Sequence, residues 1–155
     1  MIYFIGAGPG APALITLRGA KLLEEADVVI YAGSLVNPEL LKRCKGTCEV
    51  HNSALMTLEQ VLSVIERAEA ENKTTVRLHT GDTAVYSTIR EQMDALEKKG
   101  ISYDITPGVS SFCAAAASAQ AEYTLPGVSQ SVILTRMASR TPVPEREQIA
   151  SLASH

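Results

Sequence analysis

Several things are scarce in this sequence, and each scarcity excludes a class of function. Basic charge is not in excess: 14 lysines and arginines face 17 acidic residues, a net charge of -3. No positive field is available to gather nucleic acid, so any anionic ligand must be met by local arginines or backbone N–H groups. Cysteine is limited to Cys44, Cys48 and Cys113. An odd set of three does not read as a secreted disulfide framework, and a reducing cytoplasm is the expected setting. No apolar run approaches the roughly 18 residues of a membrane span. The opening Met1–Ile5 is too short for the apolar stretch of a secretory signal and runs straight into glycines. No internal repeat or low-complexity tract is present. Cys44, Cys48 and His51 form C-x3-C-x2-H, which is not a recognised zinc spacing and lacks a fourth ligand, so no protein-bound metal is expected. No Ser–His–Asp order or paired-carboxylate site stands out.

What is present has the texture of a globular α/β chain. Hydrophobic residues make up 46% and charged residues 20% of the 155 positions, enough for one domain or for one domain and part of a second. Short apolar runs alternate with helical periodicity. Ile2–Ile5, Val28–Tyr31, Thr47–Val50, Thr75–Leu78 and Ser102–Thr106 read as strands. Thr16 caps a helix to about Ala26, with Leu17, Ala20, Leu23 and Ala26 on one stripe. Pro38 can open a short helix. Thr57-Leu58-Glu59-Gln60 is a capping box, and the helix behind it should bury Leu58, Val61, Leu62, Ile65 and Ala68. A helix carrying Ile89, Met93 and Leu96 closes with Lys98, Lys99 and Gly100, a cationic last turn before a left-handed stop.

This alternation predicts an α/β fold with a mostly parallel five-stranded sheet flanked by helices, over residues 1–112. Beyond it, an alanine-rich helix over Phe112–Ala121, a sixth strand at Ser131–Leu134 and a short helix near Pro144 or Glu145 make residues 113–155 the linker and incomplete start of a second α/β domain. Ligands in such sheets sit beyond the carboxyl ends of the strands. The informative segments are therefore Gly6–Pro12, Ala32–Pro38, His79–Ser87 and Pro107–Ser111.

The first of these, Gly6-Ala7-Gly8-Pro9-Gly10-Ala11, almost fits a dinucleotide fingerprint. Pro9 removes an N–H where a pyrophosphate would be cradled, however, and Tyr31-Ala32-Gly33 stands where the second strand should end in an acid. In the second glycine loop Gly81 permits close backbone approach, while Asp82 suits either a helix N-cap or a ligand hydroxyl. His79 by itself reads as a structural hydrogen-bonder. Ser110 and Ser111 can cap the alanine-rich helix and offer polar groups to a ligand. Arg136 and Arg140 carry the planar fork that matches carboxylates, although a solvated loop is the simpler reading of that segment.

In order, these loops form a pattern that none makes alone. Gly6-Ala7-Gly8-Pro9-Gly10, Thr80-Gly81-Asp82 with Tyr86, and Pro107-Gly108-Val109-Ser110-Ser111 resemble the tetrapyrrole methylase family. Tyr31-Ala32-Gly33-Ser34-Leu35-Val36, Thr135-Arg136 and Arg140–Glu147 resemble its branch acting at C11 of precorrin-4 or cobalt-precorrin-4. The resemblance covers the whole chain. Two departures are Thr83, where the family commonly has proline, and Ser87, where glycine is common; Thr83 restores an N–H and leaves the loop softer.

The resemblance implies an S-adenosylmethionine-dependent C-methyltransferase of cobalamin biosynthesis, with the cofactor folded in a cleft between two domains. Carried over by position, Pro9, Thr80, Gly81, Asp82, Val85, Ser110 and Ser111 are expected at the cofactor. Gly8, Gly10, Ser34, Leu35, Val36, Arg136 and Arg140 are expected at the tetrapyrrole. The family also implies a homodimer, with any cobalt carried inside the substrate. No general base is identified. Rival readings are another tetrapyrrole methylation such as that of uroporphyrinogen-III, a relative that modifies RNA or a protein side chain, and a non-catalytic nucleotide-binding module.

Overall fold

A computed structural model describes residues 1–33, 35–138 and 141–154. It divides into two compact units, Met1–Ala115 and Ala116–His155. The first contains β1 (Ile2–Gly6), α1 (Leu17–Glu25), β2 (Val28–Tyr31), β3 (Glu49–Asn52), α2 (Leu58–Ala70), β4 (Thr75–His79), α3 (Ile89–Lys98) and β5 (Tyr103–Thr106). The unit boundary falls within α4 (Ser111–Ser118), and α5 (Ile149–Leu152) lies near the end of the chain.

The five strands form one sheet in the order β3-β2-β4-β1-β5, and every pairing is parallel. Both faces are covered, as a parallel sheet requires. Strand alternation divides the apolar side chains between them. Ile5, Val29, Val76 and Leu78 pack on one face with Leu23 and Ala26 from the α1 region and with Leu40. Ile2, Phe4, Val28 and Ile30 pack on the other with Val61, Ile65 and Ala68 of α2 and Leu96 of α3.

Most local expectations are met. The Thr16 hydroxyl accepts from the Gly19 N–H at 3.1 Å, so α1 starts where its cap predicts. The capping box is complete: the Thr57 hydroxyl accepts from the Gln60 N–H and the Gln60 side chain accepts from the Thr57 N–H. Gly100 has φ +66° at the end of α3.

Five readings are corrected. Leu58 is not buried by α2 but exposed in its first turn, since the buried face is that of Val61, Ile65 and Ala68. Leu17 does not join the buried stripe of α1. It is 92% exposed, because the face that meets the sheet is that of Gly19 and Leu23. The third strand begins two residues later than expected, at Glu49, since a turn whose Cys48 N–H donates to the Lys45 carbonyl occupies the preceding residues. The alanine-rich helix stops at Ser118 and does not reach Ala121, because Gln120 takes φ +51°. Ser131–Leu134 forms no strand. Among the described residues of the second unit the only ladder element is an isolated antiparallel bridge between Leu125 and Ser129, so an extended segment there has no strand to pair with.

Candidate functional site

The strand order locates a site before any side chain is considered. From β1 the chain crosses over β4 to reach β2; from β4 it crosses over β1 to reach β5. The connections leave β1 and β4 in opposite directions, which opens a crevice at their carboxyl ends. Here the first two glycine loops meet. The Ala7 N–H donates to the His79 carbonyl at 2.7 Å, the Gly8 N–H to the Gly81 carbonyl at 3.1 Å, and the Gly81 N–H to the Gly8 carbonyl at 2.9 Å. Gly8 and Gly81 both have positive φ, +82° and +61°, the region that glycine enters without steric cost.

Asp82 joins the third loop to this pair. One carboxylate oxygen accepts from the Ala84 N–H and the other from the Gly108 N–H, each at 2.8 Å. It therefore does not cap α3, which begins seven residues later behind Thr88. The Ser87 hydroxyl donates to the Asp82 carbonyl at 2.9 Å, so the serine found where glycine is common closes the loop on itself. Tyr86 and Thr88 are left-handed, with φ +54° and +53°. Non-glycine residues in that region cost about 1 kcal/mol or more each, a concentration of strain typical of ligand-binding loops.

The loops line a half-open cavity of about 590 Å³. All seven residues expected at the cofactor line it: Pro9, Thr80, Gly81, Asp82, Val85, Ser110 and Ser111. Ser110 occupies the N-cap position of α4, its carbonyl accepting from Cys113 and Ala114 N–H groups at 3.1 and 3.3 Å.

The residues expected at the tetrapyrrole are less closely gathered. Leu35 lines the cavity and is 72% exposed. Gly8 contributes to the glycine crossing, and the Gly10 carbonyl accepts from the Asn37 side chain at 2.8 Å, tying the first loop to the segment after β2. Val36 does not offer its side chain, which is packed in the core with Leu40 and Ile15. Arg136 lies in the second unit, where its guanidinium donates to the carbonyls of Met137, Thr141 and Pro142. Ser34 and Arg140 lie outside the described residues.

Sequence reasoning missed Arg77 and Gln92, which also line the cavity, and gave His79 no site role. Arg77 and His79 sit on β4, a central strand, facing the α2–α3 side of the sheet. The signal was available: a charged residue inside Val76-Arg77-Leu78, in a sheet covered on both faces, needs a reason for its burial. Arg77 donates from Nε to Gln92 Oε1 at 3.0 Å and from Nη1 to the Ile30 carbonyl at 3.1 Å. Burial pushes its pKa down to about 10, which leaves it cationic at neutral pH.

His79 is buried near this cation, and its Nε2 has no hydrogen-bond partner. Burial first, and then Arg77, hold its pKa at about 3. The folded state thus excludes a proton that the unfolded chain takes up near the ordinary value of 6.5. Stability should be undiminished above that value and fall as the pH drops toward 3, by up to about 1.4 kcal/mol per pH unit. Urea titrations between about pH 7 and pH 4 are expected to show a shallower decline for His79→Gln than for the unaltered chain. Equal slopes would refute this account of His79.

Known proteins can be set beside this geometry. The family model for tetrapyrrole (corrin/porphyrin) methylases matches residues 1–155. The chain belongs to that family. It is 54% identical over 154 residues to a cobalt-precorrin-4 C(11)-methyltransferase of Methanocaldococcus jannaschii and 51% identical to one from Priestia megaterium, in each case over 99% of this chain. It spans 60% of the length of those two relatives. A solved cobalt precorrin-4 methyltransferase superposes with a TM-score of 0.96 at 51% identity, over 99% of this chain and 64% of the other. A uroporphyrin-III C-methyltransferase from Thermus thermophilus, solved with S-adenosyl homocysteine, superposes with a TM-score of 0.68 at 29% identity, over 84% of this chain and 52% of the other. The methylase fold expected from the loops is thus the fold that forms.

Proposed function

We propose that this methylase chain is part of an enzyme that moves a methyl group from S-adenosylmethionine to C11 of precorrin-4 or cobalt-precorrin-4 during cobalamin biosynthesis. The observation that carries the reading is the convergence of three separate strand-end loops, with all seven residues assigned to the cofactor, on one cavity at the β1/β4 crossover. The names of the relatives favour C11 over other ring positions. The complex of the Thermus thermophilus neighbour favours an S-adenosyl cofactor.

In the reaction an electron-rich ring carbon attacks the methyl carbon in line, the carbon–sulfur bond breaks, and its electron pair returns to sulfur. The donor is already a strong electrophile, so no covalent enzyme intermediate is needed. The protein contributes chiefly by holding carbon and methyl about 3 Å apart and collinear. Half-buried Pro9 and the backbone of Gly81 provide close, rigid walls for this. The carboxylate arms of the macrocycle are the partners for Arg136 and Arg140. Arg136 is oriented by three carbonyls and retains N–H groups for an incoming carboxylate. Cobalt, when present, belongs to the substrate, and the working assembly is a homodimer.

Calorimetry with S-adenosylhomocysteine tests the proposal, on this chain and on a form extended to the length of its relatives. Binding to the extended form, with weaker or no binding to this chain, is the expected result, because a cofactor held between two domains draws on both. Absence of heat from either form would remove the S-adenosyl assignment.

A further inference from the structure

Arg77 is 7% exposed, and among the described residues it has no carboxylate partner: its bonds go to Gln92 and to the Ile30 carbonyl. That uses two of the five N–H groups of a guanidinium and leaves both N–H groups on Nη2 without a protein acceptor. A buried cation without a counter-charge is costly, and proteins normally pair it. Two further polar atoms on the same strand lack partners, Thr75 Oγ1 at its start and Nε2 of His79 at its carboxyl end; of these residues only His79, 4% exposed, is at the cavity. Arg77 lines the cavity too. The deficits of Arg77 and His79 are complementary to one kind of ligand. A carboxylate can accept from Nη2 of Arg77 and, once a small turn of the ring uncovers it, from Nε2–H of neutral His79, which is sealed from solvent in this structure; its single negative charge cancels the single positive charge of the site.

We infer that Arg77 and His79 form a carboxylate-binding subsite within the cavity, with Gln92 fixing the Arg77 fork from α3. The subsite rests on the functional reading above only for the source of the carboxylate. Two sources share this chemistry: the amino-acid end of the S-adenosyl cofactor, and a carboxylate arm of the macrocycle. Either way, Arg77 and His79 are binding residues that decide how a charged ligand is placed.

The test compares S-adenosylhomocysteine with 5′-methylthioadenosine, which lacks the amino-acid end, and adds uroporphyrin as a stable macrocycle bearing carboxylate arms. Affinities are measured for the extended protein and for its Arg77→Lys and Arg77→Gln variants, with circular dichroism to establish folding. If the cofactor supplies the carboxylate, the unaltered protein prefers S-adenosylhomocysteine over 5′-methylthioadenosine. Arg77→Gln then reduces that preference about ten- to a hundredfold, and Arg77→Lys reduces it less. If the macrocycle supplies it, the nucleoside preference is unchanged and uroporphyrin binding falls by a similar factor.

A wild-type measurement covers the case in which neither variant folds. The ¹⁵N signal of the His79 ring should shift on addition of a carboxylate-bearing probe and stay in place with 5′-methylthioadenosine or with chloride at matched ionic strength. Unchanged affinities for all probes in folded Arg77→Gln overturn the subsite; if the variants do not fold, an unmoved His79 signal does so. Failure of both nucleosides to bind, with uroporphyrin still dependent on Arg77, would instead count against the S-adenosyl reading and leave the subsite standing.

Discussion

Gly108→Ala is expected to destabilise the protein by about 3 kcal/mol and to remove S-adenosylhomocysteine binding. A Cβ at this position would sit 2.1 Å from the Gly81 carbonyl oxygen and 2.7 Å from the Cα of Gly6. Both obstacles are backbone, so no side chain can swing aside. The same crowding is seen from the other direction, where a Cβ on Gly6 would lie 2.5 Å from the Gly108 nitrogen. The turns after β1, β4 and β5 therefore cross at a point that has no room for a methyl group. Relief requires them to separate, and they are the walls of the cavity. Gly46→Ala is the control, since an added Cβ there meets nothing within 4 Å. Urea midpoints, and calorimetry on the two variants in the extended form, decide the matter. Equal stability for Gly108→Ala and Gly46→Ala would show that the crossing is looser than described.

Asp82→Ala should cost about 2–3 kcal/mol, because it deletes two charge-assisted bonds to backbone N–H groups. Those bonds hold Ala84 in its own loop and Gly108 in the next. Binding of S-adenosylhomocysteine to the extended form should weaken at least tenfold as the loops lose their register. Asp82→Asn should fall between the two, since its carbonyl can replace one acceptor while its amide presents a donor to the other N–H. Asp82 was also a candidate for direct contact with a ligand hydroxyl, and the two roles separate cleanly. A direct contact alone would weaken binding and leave the urea midpoint where it was. That outcome would reassign Asp82 from holding the loops to holding the ligand.

The parts of this site that were legible in the sequence are those with backbone demands. Glycine before a turn, proline within it and serine at a helix start leave marks at fixed offsets. Gly8, Pro9, Gly81 and Ser110 stand in loops marked in that way, although it was the resemblance of those loops, taken in order, to the methylase family that gave them site roles; Thr57 with Gln60 marked a helix start to the residue. The sheet was legible from the alternation of Ile2–Ile5, Val28–Tyr31 and Thr75–Leu78 with helical stretches. Arg77 left one mark, a charge inside an apolar strand, but its pairing with Gln92 was not legible, because it joins a strand to a helix 15 residues away and depends on which strand is central. Leu17 misled because a helix stripe can be drawn through it equally well; only the sheet beneath decides which stripe is buried. Ser131–Leu134 misled because an apolar run records a tendency to extend, while a ladder needs a partner.

The placement of β1 has a consequence for how the chain is made. Its two neighbours, β4 and β5, lie more than 70 residues downstream. While the ribosome is still producing the intervening segment, Ile2, Phe4 and Ile5 have no edge to join. Parallel pairing over such separations is slow, and apolar strands waiting for it are prone to aggregate. Yield of soluble protein should therefore depend on translation speed and on chaperones that shield β1 as it emerges.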